Sequence, residues 1–329
     1  MKERLVDFDR LKGLAILLVV VGHLVARQGP NADNIYSDIK LTIYSFHMPV
    51  FMFVCGFILA YTRKPIDSIS DYAIYIRKKT YRLMPAYLLF AFVIFFGKLI
   101  FSQFMHVDNP VDGVSDMYRI FVDPINSYSS YLWFIYTLFI YYLIFPLLYR
   151  ITKNRIYFLL PVGVILGYLE LTKDVTTYFC ISRVFEYFFV FTLGCCASDY
   201  YKKYDYMLDK LNIVFIIAFI VALIFIPKVE GSRYVIGLFA IPALHVFCRM
   251  EIFAGENLLA VLGDYTFPIY LMNTIFIGVA KGVILYFTEW TIISFLIMVP
   301  FLLVAGVYGP IFTQKYILSR TPLINQWVR

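Results

Sequence analysis

Charge is scarce in this sequence: Asp, Glu, Lys and Arg make up 16% of its 329 residues, against roughly 25% in an ordinary soluble domain. That scarcity excludes a disordered chain and a soluble enzyme alike. Paired cysteine is missing too. The five cysteines, Cys55, Cys180, Cys195, Cys196 and Cys248, are odd in number and sit in or beside apolar runs, so neither a disulfide framework nor a zinc spacing is present. No Ser-His-Asp order and no metal-ligand spacing offers hydrolytic or metal chemistry, and no transporter-like internal repeat is visible. Nor is any loop long enough to form a domain: the longest, roughly 105 to 130, is rich in Asp, Asn, Ser and Pro and reads as irregular structure.

What is abundant is apolar surface. Apolar residues make up 61% of the chain, with a mean hydropathy of +0.75, and at roughly 20 residues per bilayer crossing this allows about ten spans. Apolar runs bounded by polar, Pro or Gly clusters fall near 11–27, 41–62, 83–104, 131–149, 156–171, 184–200, 211–227, 233–249, 266–287 and 290–312. These predict an all-α integral membrane protein, a single domain over 1–329 with about ten transmembrane helices. With the amino terminus inside, about two-thirds of the 29 Lys and Arg residues fall on the cytoplasmic side, including Lys2, Arg63, Arg77, Lys78, Arg82 and Arg329. Arg27, Lys40 and Arg183 fall outside with acids such as Asp108 and Asp112. This asymmetry predicts both termini in the cytoplasm, and it accounts for the net charge of +7 without nucleic acid. The first 27 residues resemble a secretory signal ending at Ala26, but Glu3, Asp7 and Asp9 are unusual in a signal's charged region, and a retained helix is expected.

Ionisable groups inside apolar runs are costly and read as functional. His23 lies in a run from Leu14 to Leu24 that contains no other such group; the alternative is a neutral imidazole bonded to a backbone carbonyl. Lys12 precedes His23 by eleven residues, three turns plus about 20°, so both point to one side, about 16 Å apart along the axis. This stripe suits a path from the cytosol to an internal site near mid-membrane. His47 begins His47-Met48-Pro49 at a similar depth in the second span, where Pro49 is expected to bend the helix and Gly56 to allow close approach. The link after that span ends in Arg77-Lys78-Lys79-Thr80-Tyr81-Arg82, which suits lipid headgroups or the phosphates of a cytosolic donor. Arg183 and Glu186 stand one turn apart and can pair. Trp133 reads as an interfacial anchor, and Asn273 as a helix-to-helix hydrogen bond or a ligand contact.

Taken together, Asp9-Arg10-Leu11-Lys12-Gly13 with Gly22-His23, Phe46-His47-Met48-Pro49 and Cys55-Gly56-Phe57 resemble the membrane acyltransferase 3 family, which O-acylates bacterial polysaccharides and related cell-envelope molecules. The resemblance continues through Arg82-Leu83-Met84-Pro85, Leu132-Trp133-Phe134, the stretch from Glu186 to Gly194 and Ile269-Tyr270-Leu271, and it is to the form without an esterase-like domain. Lys12 and Lys79 stand where the family usually has arginine, Cys55 where serine is common, and Asn273 where many members have histidine. The resemblance implies acyl transfer, most commonly of acetyl, from cytosolic acyl-CoA to a hydroxyl of a polysaccharide or its lipid-linked precursor at the cytoplasmic membrane, with no metal. It assigns His23 and His47 to catalysis, and Lys12, Lys79 and Arg82 to the donor phosphates. Trp133, Arg183, Glu186 and Asn273 are acceptor or structural candidates. Membrane lipids and the glycan are the expected partners. A transporter or flippase for a lipid-linked glycan, with the histidines as a proton relay, is the rival reading; it needs no acyl-CoA. Acyl transfer to another acceptor and a membrane protein without turnover are two more.

Overall fold

An apolar run with few breakers satisfies its backbone most simply as a helix, because no water is available to bond an exposed strand. In the computed structural model, which describes residues 4–24, 34–104, 107, 109–111, 113–229, 231–253, 258–289 and 291–328, all regular structure among the described residues is helical. Lys2, Ala26, Arg27, Asp108, Asp112 and Arg329 lie outside the described residues. In chain order the α-helices are α1 (Val6–Gly22), α2 (Asn34–Tyr44), α3 (His47–Tyr61), α4 (Ile69–Phe101), α5 (Arg119–Val122), α6 (Trp133–Ile151), α7 (Leu160–Thr172), α8 (Ile181–Asp199), α9 (Tyr201–Lys210), α10 (Asn212–Phe225), α11 (Ser232–Arg249), α12 (Leu258–Asp264), α13 (Thr266–Phe287), α14 (Ile292–Phe312) and α15 (Pro322–Val328).

A helix occupies each of the ten apolar runs, but fewer can span a bilayer unaided. Six stretches are long and apolar enough: Tyr36–Tyr61, Ile69–Phe101, Ser130–Ile151, Tyr178–Asp199, Thr266–Phe287 and Ile293–Arg320. A seventh is added if α9 and α10, bent by 78° at their junction, form one span. The shortfall has simple causes. Helix α7 has 13 residues and α10 has 14, about 20 Å each, and α11 carries Arg233, His245 and Arg249. The chain is a helical membrane protein whose shorter helices depend on their neighbours.

Two local departures shape the site. The basic stretch Arg77 to Arg82 is not a link but part of α4, whose 33 residues extend about 50 Å, well beyond a hydrocarbon core of about 30 Å. Ser68 starts this helix with a capping box to Asp71. Pro49 does not bend α3; it sits in the first turn, where its missing N–H costs nothing, and the chain breaks just before it at Ser45 and Phe46.

Close crossings hold the bundle. Glycines at two of them let backbones touch: a Cβ on Gly56 would overlap the Phe191 carbonyl of α8, and one on Gly194 the Phe53 carbonyl of α3. The same reciprocity joins α1 and α12 through Gly13 and Gly263. A buried polar link ties α1, α9 and α11 together: His245 bonds Asp7 through Nε2 at 3.0 Å and the Tyr204 hydroxyl through Nδ1 at 2.9 Å. With both ring nitrogens engaged, His245 braces the helices.

Candidate active site

Helix α1 ends inside the protein, so its last carbonyls need partners. Tyrosines from α2 provide them: the Tyr36 hydroxyl donates to Val21 O, and that of Tyr44 to Gly22 O at 3.1 Å. His23 is thereby held as the C-cap residue of α1 rather than in mid-helix as its apolar run suggested. Its Nδ1 lies 2.8 Å from Asn273 Oδ1 of α13. Both amide protons of Asn273 are already spent, on Ile269 O at 2.8 Å and Tyr270 O at 2.9 Å. The atom facing the ring must therefore be the acceptor oxygen, which places the imidazole proton on Nδ1 and leaves Nε2 as the basic nitrogen.

The break before Pro49 positions the second histidine. Ile43, in the last turn of α2, has a carbonyl that accepts from Phe46 N at 3.1 Å and from His47 Nδ1 at 2.8 Å. Here too Nδ1 carries the proton and Nε2 is available. His47 is buried against the Tyr44 ring, 4.8 Å between centroids, and the charge of Lys40 reaches both histidines.

His23 and His47 line one cavity of ≈ 1590 Å³. Its walls come from the ends of α1, α2 and α4, most of α13 and the beginnings of α3, α6, α8 and α11, so it opens at the end of the bundle opposite the start of α1. Trp133 and Arg183 line it as well. The Trp133 ring stacks on Tyr187 at 5.4 Å, and the Arg183 guanidinium lies 5.3 Å from the indole. Glu186 stands behind this wall with a fully buried side chain, paired with Arg183 and, at 2.8 Å, with Arg233 Nε. The Arg233 contact lacks hydrogen-bond alignment, so it is an ion pair by proximity. Arg233 also pairs with Glu170 at 3.5 Å. Two carboxylates thus hold two arginines rigidly at the cavity wall, and the pairing expected of Arg183 and Glu186 is present.

The other three sequence candidates are elsewhere. Lys12 is paired with Asp9 at 2.7 Å, Lys79 rests over the Tyr142 ring at 4.2 Å, and Arg82 is exposed. Lys12 and Lys79 lie within electrostatic reach of Cys55, and Arg82 within reach of Lys79. None of the three lines the cavity. Along the expected stripe from Lys12 to His23, Ile16 and Val19 are buried.

Sequence reasoning passed over Lys40, Tyr131 and Arg233 at this cavity. Lys40 and Arg233 looked like ordinary charges at the ends of spans. Tyr131, whose hydroxyl donates to Leu271 O at 2.9 Å, was one tyrosine among 28. Arg233 alone had a signal, the complementary Glu170 at the same end of another apolar run.

Comparison with known proteins adds an independent result. An acyltransferase domain family, acyltransferase 3, matches residues 5–314. The chain is 42% identical over 62 residues to the nodulation protein NolL of Sinorhizobium fredii, covering 18% of this chain and 17% of that protein. It is 26% identical over 181 residues to the NolL of Mesorhizobium japonicum, covering 53% of this chain and 44% of that protein. The chain thus spans less than half the length of either relative. No solved structure matches it.

Proposed function

The chain belongs to the acyltransferase 3 family, and on that premise we propose that it moves an acyl group, acetyl above all, from cytosolic acyl-CoA to a hydroxyl of a cell-envelope polysaccharide or its lipid-linked precursor. The observation that carries the chemistry is the pair of histidines on one cavity wall, each with Nδ1–H committed and Nε2 available. His23 Nε2 takes the proton of the acceptor hydroxyl as its oxygen attacks the thioester carbonyl. The C–S bond then breaks, and the imidazolium returns the proton to the departing thiolate. His47 orients the reacting carbonyl.

The same reading assigns Lys12, Lys79 and Arg82 to the phosphates of the donor. A phosphate would exchange with Asp9 at Lys12 and meet Lys79 and Arg82 directly. Donor and acceptor then approach from opposite ends of the bundle, with the apolar length of α1 from Lys12 to His23 between them. Ten crossings of the cytoplasmic membrane with both termini in the cytoplasm put the donor cluster on the side where acyl-CoA is found.

The test is transfer of labelled acetyl from acetyl-CoA to a panel of envelope glycans by purified protein in vesicles. His23→Ala is expected to reduce transfer by about 10² to 10⁴ with acetyl-CoA binding retained. A folded His23→Asn protein with near-normal transfer would remove His23 from the chemistry. An acylated His23 trapped by rapid quench would replace the base with a covalent carrier.

A further inference from the structure

The cavity is open on one flank as well as at its end. Helices α4 and α13 touch at few points, and between them the lining is glycine and apolar: Val93 and Gly97 on one side, Gly278, Val279 and Val283 on the other. Val93, Val279 and Val283 are exposed, and a Cβ added at Gly97 or Gly278 would meet no atom within 4 Å. Each wall also contributes one cation to the lining, Lys98 beside Gly97 and Lys281 beside Gly282. Lys98 Nζ donates to Asn109 O at 3.0 Å and to Tyr128 O at 2.7 Å.

From Ile275, next to the His23 partner Asn273, to Tyr286 at the rim, α13 rises about 16 Å, about half of a hydrocarbon core of roughly 30 Å. The slot is therefore one leaflet deep. A slot with apolar walls facing lipid, flanked by a lysine on each wall, matches an amphiphile with an anionic headgroup: the chain leaves sideways into the bilayer while the headgroup stays at the lysines. A water-soluble glycan would need neither feature.

We infer that the acceptor is presented on a lipid phosphate or diphosphate, with its hydrocarbon chain lodged between α4 and α13 and its phosphate at Lys98 and Lys281. The inference rests on the acyl-transfer reading only for what the cavity does; the binding step stands apart from turnover.

The test uses the full chain in phosphatidylcholine nanodiscs and tritiated geranylgeranyl diphosphate as probe, counted against empty nanodiscs. Saturable binding is expected, with inorganic diphosphate and geranylgeraniol each competing at least tenfold more weakly than unlabelled probe. Gly97→Phe and Gly278→Phe have room for the first added carbon, so they should fold, keep acetyl-CoA binding, and weaken the probe at least tenfold. Lys98→Met with Lys281→Met should weaken the diphosphate but not geranylgeraniol. Competition by inorganic diphosphate equal to the probe would overturn the inference, since the chain would then contribute nothing. Equal competition by phosphatidylglycerol would also overturn it, because the slot would hold bulk lipid. Probe binding without any acetyl transfer would sink the acyl-transfer reading alone, whereas transfer to a soluble glycan at full rate in Gly278→Phe would sink the lipid-linked acceptor alone.

Discussion

Replacing Asn273 with leucine, which has nearly the same shape, removes the acceptor that holds the proton on His23 Nδ1 and changes little else. The two carbonyls bonded by the Asn273 amide, those of Ile269 and Tyr270, belong to α13 and keep their helical partners, so the fold should survive. What is lost is the hydrogen bond at 2.8 Å that fixes the ring and its tautomer. A net hydrogen bond is worth about 0.5 to 1.5 kcal/mol, and at about 1.4 kcal/mol per factor of ten the turnover number should fall by about 2- to 12-fold. Because Asn273 acts through His23, the loss should vanish in a His23→Ala background, where no imidazole is left to orient. The assay is steady-state transfer from labelled acetyl-CoA by four proteins: wild type, each single variant and the double variant. An equal loss in both backgrounds would show that Asn273 supports the bundle and not the base. A folded Asn273→Leu protein with an unchanged turnover number would refute the tautomer argument itself.

Arg82→Ala should weaken acetyl-CoA binding by roughly 10- to 150-fold, the equivalent of one charge-assisted hydrogen bond of roughly 1.5 to 3 kcal/mol; equilibrium binding that stays unchanged would return this stretch of α4 to lipid anchoring. Thiol labelling of cysteines placed singly at Lys64 and Ser319 should occur from the cytoplasmic side in both cases, and labelling of either from outside would break the donor assignment. Gly56→Leu should cost at least about 1 to 3 kcal/mol by overpacking, read as a lower unfolding temperature in detergent, since its side chain would meet the backbone of α8 at Phe191. Gly97→Leu, with nothing within 4 Å of its Cβ, should leave that temperature nearly unchanged.

The sequence alone determined that this is a helical membrane protein, where its ten apolar runs lie, and that His23 and His47 stand inside the first two of them. It could do so because burial in lipid penalises charge and unpaired backbone at every position independently, so composition along the chain suffices. The resemblance to the acyltransferase 3 family was legible for a related reason: its motifs are short and local, as in Gly22-His23 and His47-Met48-Pro49. Only the tertiary structure decided that Asn273, 250 residues beyond His23, fixes its tautomer, that Arg233 shares Glu186 with Arg183, and that Lys12, Lys79 and Arg82 stand apart from the cavity the histidines line. These depend on which helices cross and at what height. That is set by shape complementarity at sites such as Gly56 against Phe191, where packing of two distant segments, and not the period of either one, selects the partner.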